Sequence, residues 1–240
     1  IYTTVHTLSL HDALPICLRL ADVRLRAPLE PPNVFAVGAN YRSHIEEMGG
    51  TPPERPLIFC KPTTAVVGPD EPVILPAMAP NEVDYEAELA VVIGRRAKGL
   101  SPGEALSAVF GYTCANDVSA RDCQKKIDRQ WTRAKGFDTF CPLGPWIETE
   151  LDPANLRVSL RLNGETMQDG STATMFFSIP YLVSYLSQAF TLLPGTVILT
   201  GTPAGVGAAR KPPRFLRPGD VTEVDIAGVG VLRNPISAGS

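Results

Sequence analysis

Three carboxylates between Val83 and Asp117 have the spacing of a site for a hard metal ion. In Val83-Asp84-Tyr85-Glu86-Ala87-Glu88-Leu89-Ala90-Val91-Val92-Ile93 polar and apolar side chains alternate. As a strand, this segment puts Asp84, Glu86 and Glu88 on one face and Tyr85, Ala87, Leu89, Val91 and Ile93 on the other. A returning strand through residues 109–116 then delivers Asp117 beside them. Two carboxylates at i and i+2, joined by a third from a neighbouring strand, make an oxygen-only donor set that leaves coordination positions for water and substrate. Such a set favours Mg²⁺ or Mn²⁺ over Zn²⁺. The same alternation also describes a sheet with a solvated acidic face, and spacing alone leaves both readings open.

A second constellation lies upstream. Residues 33–38 read as a buried strand that delivers Asn40-Tyr41-Arg42-Ser43-His44-Ile45-Glu46-Glu47 to its end, where a helical turn sets His44 and Glu47, at i and i+3, on one side. A carboxylate fixes the tautomer of a neighbouring imidazole and stabilises the imidazolium formed when the ring takes a proton, so the pair is a candidate general base. The bland reading is a surface His and Glu on one helical turn. Gly49-Gly50-Thr51-Pro52-Pro53 follows, with the composition of a hinged lid. Lys61 ends an expected strand at 57–61 and either faces the site or marks a sheet edge. Lys135, in Ala134-Lys135-Gly136-Phe137, either points into a pocket or extends into water. The loop Gly201-Thr202-Pro203-Ala204-Gly205-Val206-Gly207 can bring backbone N–H groups close to a carboxylate, since its glycines allow close approach. It lacks the Lys-Ser/Thr that completes a phosphate-binding loop.

The elements that must hold these groups are short. Residues 101–108 predict a helix with Ser101 as N-cap and Pro102 at N1, and the polar run 118–126 is helix-compatible. Residues 156–162 alternate into Asn163-Gly164, a hairpin signal. Apolar residues at Ile179, Leu182, Val183 and Leu186 predict a core-facing helix over 178–190. A buried strand precedes the Gly201 loop, and a hairpin turns around Ala227-Gly228. Many short strands, few helices and frequent proline and glycine argue for a sheet-dominated α+β domain rather than a Rossmann-type alternation.

Composition narrows the partners. A chain of 240 residues with a formal net charge of -3 and mixed signs along its length offers no basic stripe for nucleic acid and no basic amphipathic helix for a membrane surface, so a small molecule is the expected partner. The five cysteines (Cys17, Cys60, Cys114, Cys123, Cys141) are scattered and form no Cys-x-x-Cys pair, which fits a reducing cytoplasm rather than a disulfide framework. No apolar run is long enough to cross a bilayer. Residues 1–16 show no periodicity and none of the regions of a signal peptide, and Leu8 to Ile16 looks similar to translated sequencing-adapter sequence. They are expected to be a non-native or disordered leader to one catalytic domain over 17–240, which leaves His44 as that domain's only histidine.

Several motifs recur in one order: Gly38-Ala39-Asn40-Tyr41 with His44 and Glu47; Glu86-x-Glu88; Asn116-Asp117-Val118-Ser119-Ala120-Arg121-Asp122; Lys135-Gly136-Phe137-Asp138; Asn163-Gly164-Glu165 with Gln168-Asp169-Gly170; and Thr200-Gly201-Thr202-Pro203 with Gly205-Val206-Gly207. Together they resemble the fumarylacetoacetate hydrolase family over nearly the whole chain from about Pro32 onward. The resemblance implies a mixed β-roll, usually a homodimer, with Mg²⁺ or Mn²⁺ on Glu86, Glu88 and Asp117. It implies a catalytic His and Glu at His44 and Glu47 and a substrate lysine at Lys135 with a catalytic role, and Arg121 and Gln124 match positions near the pocket; Lys61 and Thr202 are expected to join them as substrate contacts. It also implies a substrate with a 2-oxo acid head that chelates the metal, so that charge developing on the 2-oxo oxygen is held as a metal-bound enolate.

Carbon–carbon hydrolysis of acylpyruvates is the first expectation, with His44 and Glu47 activating water and Lys135 steadying the oxyanion. Decarboxylation of oxaloacetate-like acids, or isomerisation of 2-hydroxyhepta-2,4-diene-1,7-dioate-like intermediates of aromatic-compound degradation, are the alternatives. A reading of a different class is a catalytically silent metal- or anion-binding protein on the same fold.

Overall fold

The computed structural model describes residues 18–239, so the expected leader over 1–16 lies outside the described residues. In chain order the strands and helices are β1 (Val34–Gly38), α1 (Arg42–Glu47), β2 (Leu57–Lys61), β3 (Val66–Val67), β4 (Val73–Leu75), β5 (Val83–Asp84), β6 (Ala87–Ile93), β7 (Val109–Asn116) and β8 (Ser119–Ala120). They continue as α2 (Thr132–Gly136), β9 (Cys141–Glu148), β10 (Arg157–Leu162), β11 (Glu165–Ser171), α3 (Ile179–Ala189), β12 (Val197–Leu199), β13 (Val221–Ile226) and β14 (Gly230–Ala238).

Seven strands form one mixed sheet in the order β2-β1-β12-β6-β7-β9-β3. Its two edge strands are almost consecutive in the chain, joined through Pro62 and a 3₁₀ turn at Thr63–Ala65, so the sheet curls until its edges meet. The curl follows independently from packing. Val34, Ala36, Phe59, Ala90, Val92, Ala115, Cys141, Leu143, Val197 and Leu199 come from six strands of this one sheet, yet they form a single buried cluster, which is possible only if the sheet wraps around them. Alanines at Ala36, Ala90 and Ala115 keep that interior narrow.

The alternate residues of the same strands, among them Phe35, Val37, Leu89, Val91, Ile93, Cys114 and Ile198, face outward into the larger core. That core is completed by α3 and by the five-stranded sheet β11-β10-β13-β14-β4. The chain is thus a sheet-dominated α+β roll. The four cysteines among the described residues are free thiols.

The acidic strand keeps its expected parity but is broken after Asp84. There the backbone N–H groups turn to side chains instead of a ladder: Tyr85 N donates to Asp84 Oδ1, Glu86 N to Asn116 Oδ1, and Ala87 N to Gln168 Oε1. The freed segment β5 pairs with β8, so the helix-compatible run after Asp117 opens on a short strand; the chain turns helical at Arg121 and continues as a π-helical turn from Cys123 to Ile127. Residues 101–108 also differ from expectation. Ser101 and Glu104 hydrogen-bond each other, Ser101 N and Oγ both reaching Glu104 Oε2, but only a 3₁₀ turn at Ala105–Ala108 follows before β7 begins. The Asn163-Gly164 hairpin forms as read, with both residues at positive φ (54° and 84°).

The narrow interior makes a prediction. Ala90→Leu adds three carbons inside a closed curl and should cost about 1–3 kcal/mol, lowering the melting temperature by roughly 2–4 °C per kcal/mol in a thermal scan. An unchanged melting temperature would mean that the sheet does not close around Ala90.

Candidate active site

Where the curled sheet ends, its inward-facing positions stop being apolar. Inward of Glu88 on β6 lie Ala90 and Val92, while Glu88 itself is buried where that apolar run stops; Lys61, the last residue of β2, reaches Asp117. Glu86, Glu88 and Asp117 are all buried, and each offers a carboxylate oxygen within 4.8 Å of the others. Burial overturns the solvated-face reading. An isolated ionised carboxylate cannot remain in such surroundings, so each needs a compensating partner.

Those partners are three buried cations. Lys135 Nζ donates to Glu86 Oε2 at 2.7 Å and to Asp117 Oδ2 at 2.6 Å, and Lys61 Nζ donates to Asp117 Oδ1 at 2.5 Å. Arg121 forks between Glu86 Oε1 (2.6 Å) and Asp84 Oδ2 (3.1 Å), with its remaining arm on Gln124 Oε1 (2.8 Å). Lys61 and Lys135 therefore face the site, which resolves both open alternatives. Although burial alone would raise it, Glu86 is held below the ordinary carboxylate range by Lys135, Arg121 and His44. Burial works against the charge of Lys135 and Arg121 too, but their carboxylate neighbours outweigh it and raise both.

Among the described residues, Glu88 alone of these carboxylates has no cation within ion-pair distance. Its one donor is the Gly201 backbone N–H at 2.6 Å, and burial, with Asp117 and Glu86 close by, pushes its carboxyl well above the ordinary range. Four buried carboxylates, counting Asp84, are thus met by three cations, and the shortfall falls on a residue of the oxygen triad. A divalent ion fits that imbalance, and the all-oxygen donor set fits a hard one. Glu86, Glu88 and Asp117 would hold it.

The Gly201 loop supplies the remaining order. Its N–H groups do approach carboxylates, and these are the protein's own: Gly201 binds Glu88, Gly205 binds Glu47 Oε2 at 2.8 Å, and Gly207 and Ala208 bind Asp84 at 2.8 and 2.9 Å. Positive φ at Gly201 (96°) and Gly205 (107°) makes glycine necessary there. On α1, His44 Nδ1 meets Glu47 Oε1 at 2.8 Å, so the expected pair forms, and Glu47 is locked from both sides. Thr202 is placed at the site but its hydroxyl is committed, donating to Ala87 O and accepting from Gln168 Nε2. Asn40 ties the same loop down through Thr200 O, Phe177 O and Phe177 N.

A pocket of about 240 Å³ opens onto this cluster. His44, Glu86, Glu88, Arg121, Gln124, Lys135 and Thr202 line it together with the apolar Val37, Ile45, Met48, Phe59 and Trp131, and the exposed Gly50, Thr51 and Lys125 form its rim. The Gly-Gly-Thr segment expected as a lid thus borders the mouth. Sequence reasoning did not assign Asp84, Gln168 or Lys125 to the site. Asp84 carried a signal, its parity with Glu86 and Glu88; the other two act through partners that no local pattern reveals.

Residues 33–237 match the family model described as Fumarylacetoacetate (FAA) hydrolase C-terminal. The chain belongs to the fumarylacetoacetate hydrolase family. Among relatives, it is 45% identical over 228 residues to the Homo sapiens protein named oxaloacetate tautomerase FAHD2A, mitochondrial, covering 93% of this chain and 72% of that one. Among solved structures, one named 5-carboxymethyl-2-hydroxymuconate delta-isomerase from Mycobacterium smegmatis superposes with a TM-score of 0.83 at 49% identity, covering 92% of this chain and 84% of that one. Another, named fumarylacetoacetate hydrolase from psychrophilic Exiguobacterium antarcticum, gives 0.86 at 44% identity, with coverages of 97% and 85%. Family membership accounts for the fold and for the order of motifs around the acidic triad. Among the described residues no helix is long and apolar enough to cross a membrane.

Two predictions follow from the charge balance and the loop. A carboxyl raised in the folded state holds a proton that the unfolded chain has lost, so its contribution to stability declines as pH rises from the ordinary carboxylate range towards the folded value. The metal-free protein should therefore lose melting temperature as pH rises above the ordinary carboxylate range, and Glu88→Gln should remove that slope. Mg²⁺ uptake should release protons, measured by calorimetry in buffers of different ionisation heat; uptake without release would place the proton elsewhere. Separately, a Cβ at Gly207 would run into the Arg214 carbonyl oxygen and Asp84 Oδ1. Gly207→Ala should cost about 1–3 kcal/mol and weaken Mg²⁺ binding, and tight binding in that variant would show that Asp84 does not order the cluster.

Proposed function

We propose that this chain is a divalent-metal-dependent enzyme that moves a proton at the carbon beside the 2-oxo group of an oxaloacetate-type acid, interconverting its keto and enol forms. The observation that carries this reading is His44, paired with Glu47, lining the same pocket as Glu86 and Glu88. With Nδ1–H given to Glu47 Oε1, the lone pair of a neutral ring lies on Nε2, which makes His44 a base. Glu47, fixed by the Gly205 N–H, keeps the ring oriented and offsets the charge of the imidazolium. In the keto-to-enol direction Nε2 takes a proton from C3, and the C3–H electron pair becomes the C2–C3 double bond. The 2-oxo oxygen gains the charge, and the proton returns from Nε2 to that oxygen, so no net acid or base is consumed. When bound at Glu86, Glu88 and Asp117, a divalent ion supplies positive charge for the acid's carboxylate and 2-oxo oxygen. Phe59, Trp131, Val37 and Ile45 exclude water from the pocket wall, which strengthens these charge interactions.

The names of the human and mycobacterial relatives support this choice, since a tautomerase and a delta-isomerase both shift protons. Hydrolysis of acylpyruvates is the second reading: the same dyad would deprotonate a water, and the Exiguobacterium relative is named a hydrolase. That reaction needs a donor for the oxyanion at the distal carbonyl. Lys135, the group expected for it, gives its ammonium to Glu86 and Asp117, which weighs towards proton transfer. Decarboxylation needs mainly electron withdrawal and little from the dyad.

The test follows enol absorbance of oxaloacetate at saturating Mg²⁺. His44→Ala should lower the interconversion rate by about 10²–10⁴-fold, and Glu47→Gln should lower it less. Metal affinity should stay near wild type, and any decarboxylation should fall far less. Full tautomerase activity in the His44 variant would remove the proposed base, and wild-type cleavage of an acylpyruvate faster than oxaloacetate interconversion would favour hydrolysis.

A further inference from the structure

We propose that Lys125 anchors the distal carboxylate of the substrate, so that the pocket selects 2-oxo diacids over 2-oxo monoacids. This rests on the reading above that a 2-oxo acid head sits at the acidic triad. Besides the imidazole of His44, the pocket is lined by three lysine and arginine side chains, Arg121, Lys125 and Lys135. Arg121 and Lys135 are buried and committed to Asp84, Glu86 and Asp117. Lys125 is exposed on the rim, and among the described residues no carboxylate lies within ion-pair distance of it. Its neighbour Lys126 makes the contrast, since it is tied to Glu82 at 2.5 Å. Lys125 is therefore the one lysine or arginine of the lining still available to an anion.

The charge balance asks for such a group. The inner cluster has one carboxylate more than it has cations, and a divalent ion turns that deficit into a single positive charge. A carboxylate on the substrate head neutralises it. A second carboxylate on the same substrate would have no counter-charge within the cluster, and the walls it would pass, Phe59, Trp131 and Ile45, have none to offer. At the rim it meets Lys125. The backbone that presents this lysine is held on both sides, by Cys123 N donating to Asp122 Oδ1 at 2.7 Å and by Asp128 N donating to Cys123 O at 2.9 Å. Its four-carbon stem lets the ammonium follow the tail of a bound acid.

Oxaloacetate and pyruvate differ by the one carboxylate at issue. Binding of each to the Mg²⁺-loaded protein would be measured by calorimetry, with KM for oxaloacetate taken alongside. In Lys125→Met the preference for oxaloacetate over pyruvate should fall by about tenfold, through KM more than kcat, and in Lys125→Glu it should fall further. Equal weakening of both acids, or of neither, would overturn the anchor while leaving the 2-oxo acid reading in place. A wild-type protein that binds neither acid with Mg²⁺ present would overturn both.

Discussion

Everything at this site follows from the cost of burying ionised carboxylates. Asp84, Glu86, Glu88 and Asp117 lie together beneath the surface, where an uncompensated charge costs several kcal/mol. Lys61, Lys135 and Arg121 pair with three of them, and among the described residues no cation lies within ion-pair distance of the fourth, Glu88. The result is a fixed, oriented set of oxygens whose residual charge sits where a hard ion would neutralise it. Arg121 is well suited to its place, because a planar fork can hold two carboxylates and an amide at once.

The curl of the seven-stranded sheet makes that arrangement possible. Lys61 ends β2 and Asp117 follows β7, strands separated in the sheet by β1, β12 and β6, and the wrapped sheet brings their side chains into contact. The loop after β12 then does with backbone what the cations do with charge. Its N–H groups fix Glu88, Glu47 and Asp84 from a single short segment, so the acidic triad and the His44–Glu47 pair share one reference frame.

Local periodicity carried much of this to the reader of the sequence. The parity of residues 84–93, the i, i+3 relation of His44 and Glu47, and the Asn163-Gly164 turn all survive folding because each depends on neighbours in the chain. What stayed open depended on distance. Whether the acidic face is wet is decided by Lys135 and Lys61, which lie 49 positions from Glu86 and 56 from Asp117. The glycine loop read correctly as a cradle for a carboxylate, but which carboxylates it holds is fixed across 113 to 158 residues. Gln168 and Asn40 went unassigned for the same reason, since an amide that braces backbone has no chemical signature until its partners are in place.

The buried ionic set and the pocket rim are built from separate parts. Gly50, Thr51 and Lys125 give no side-chain bond to the charged cluster, whereas nearly every group inside it touches two others. Exchange of a rim residue therefore leaves the interior unchanged, while exchange of an interior residue strands a neighbour's charge. A lineage with this layout can diversify at its mouth under little structural penalty and stay frozen at its base. Proteins named for tautomerisation, isomerisation and hydrolysis can then descend from one scaffold without any of them rebuilding it.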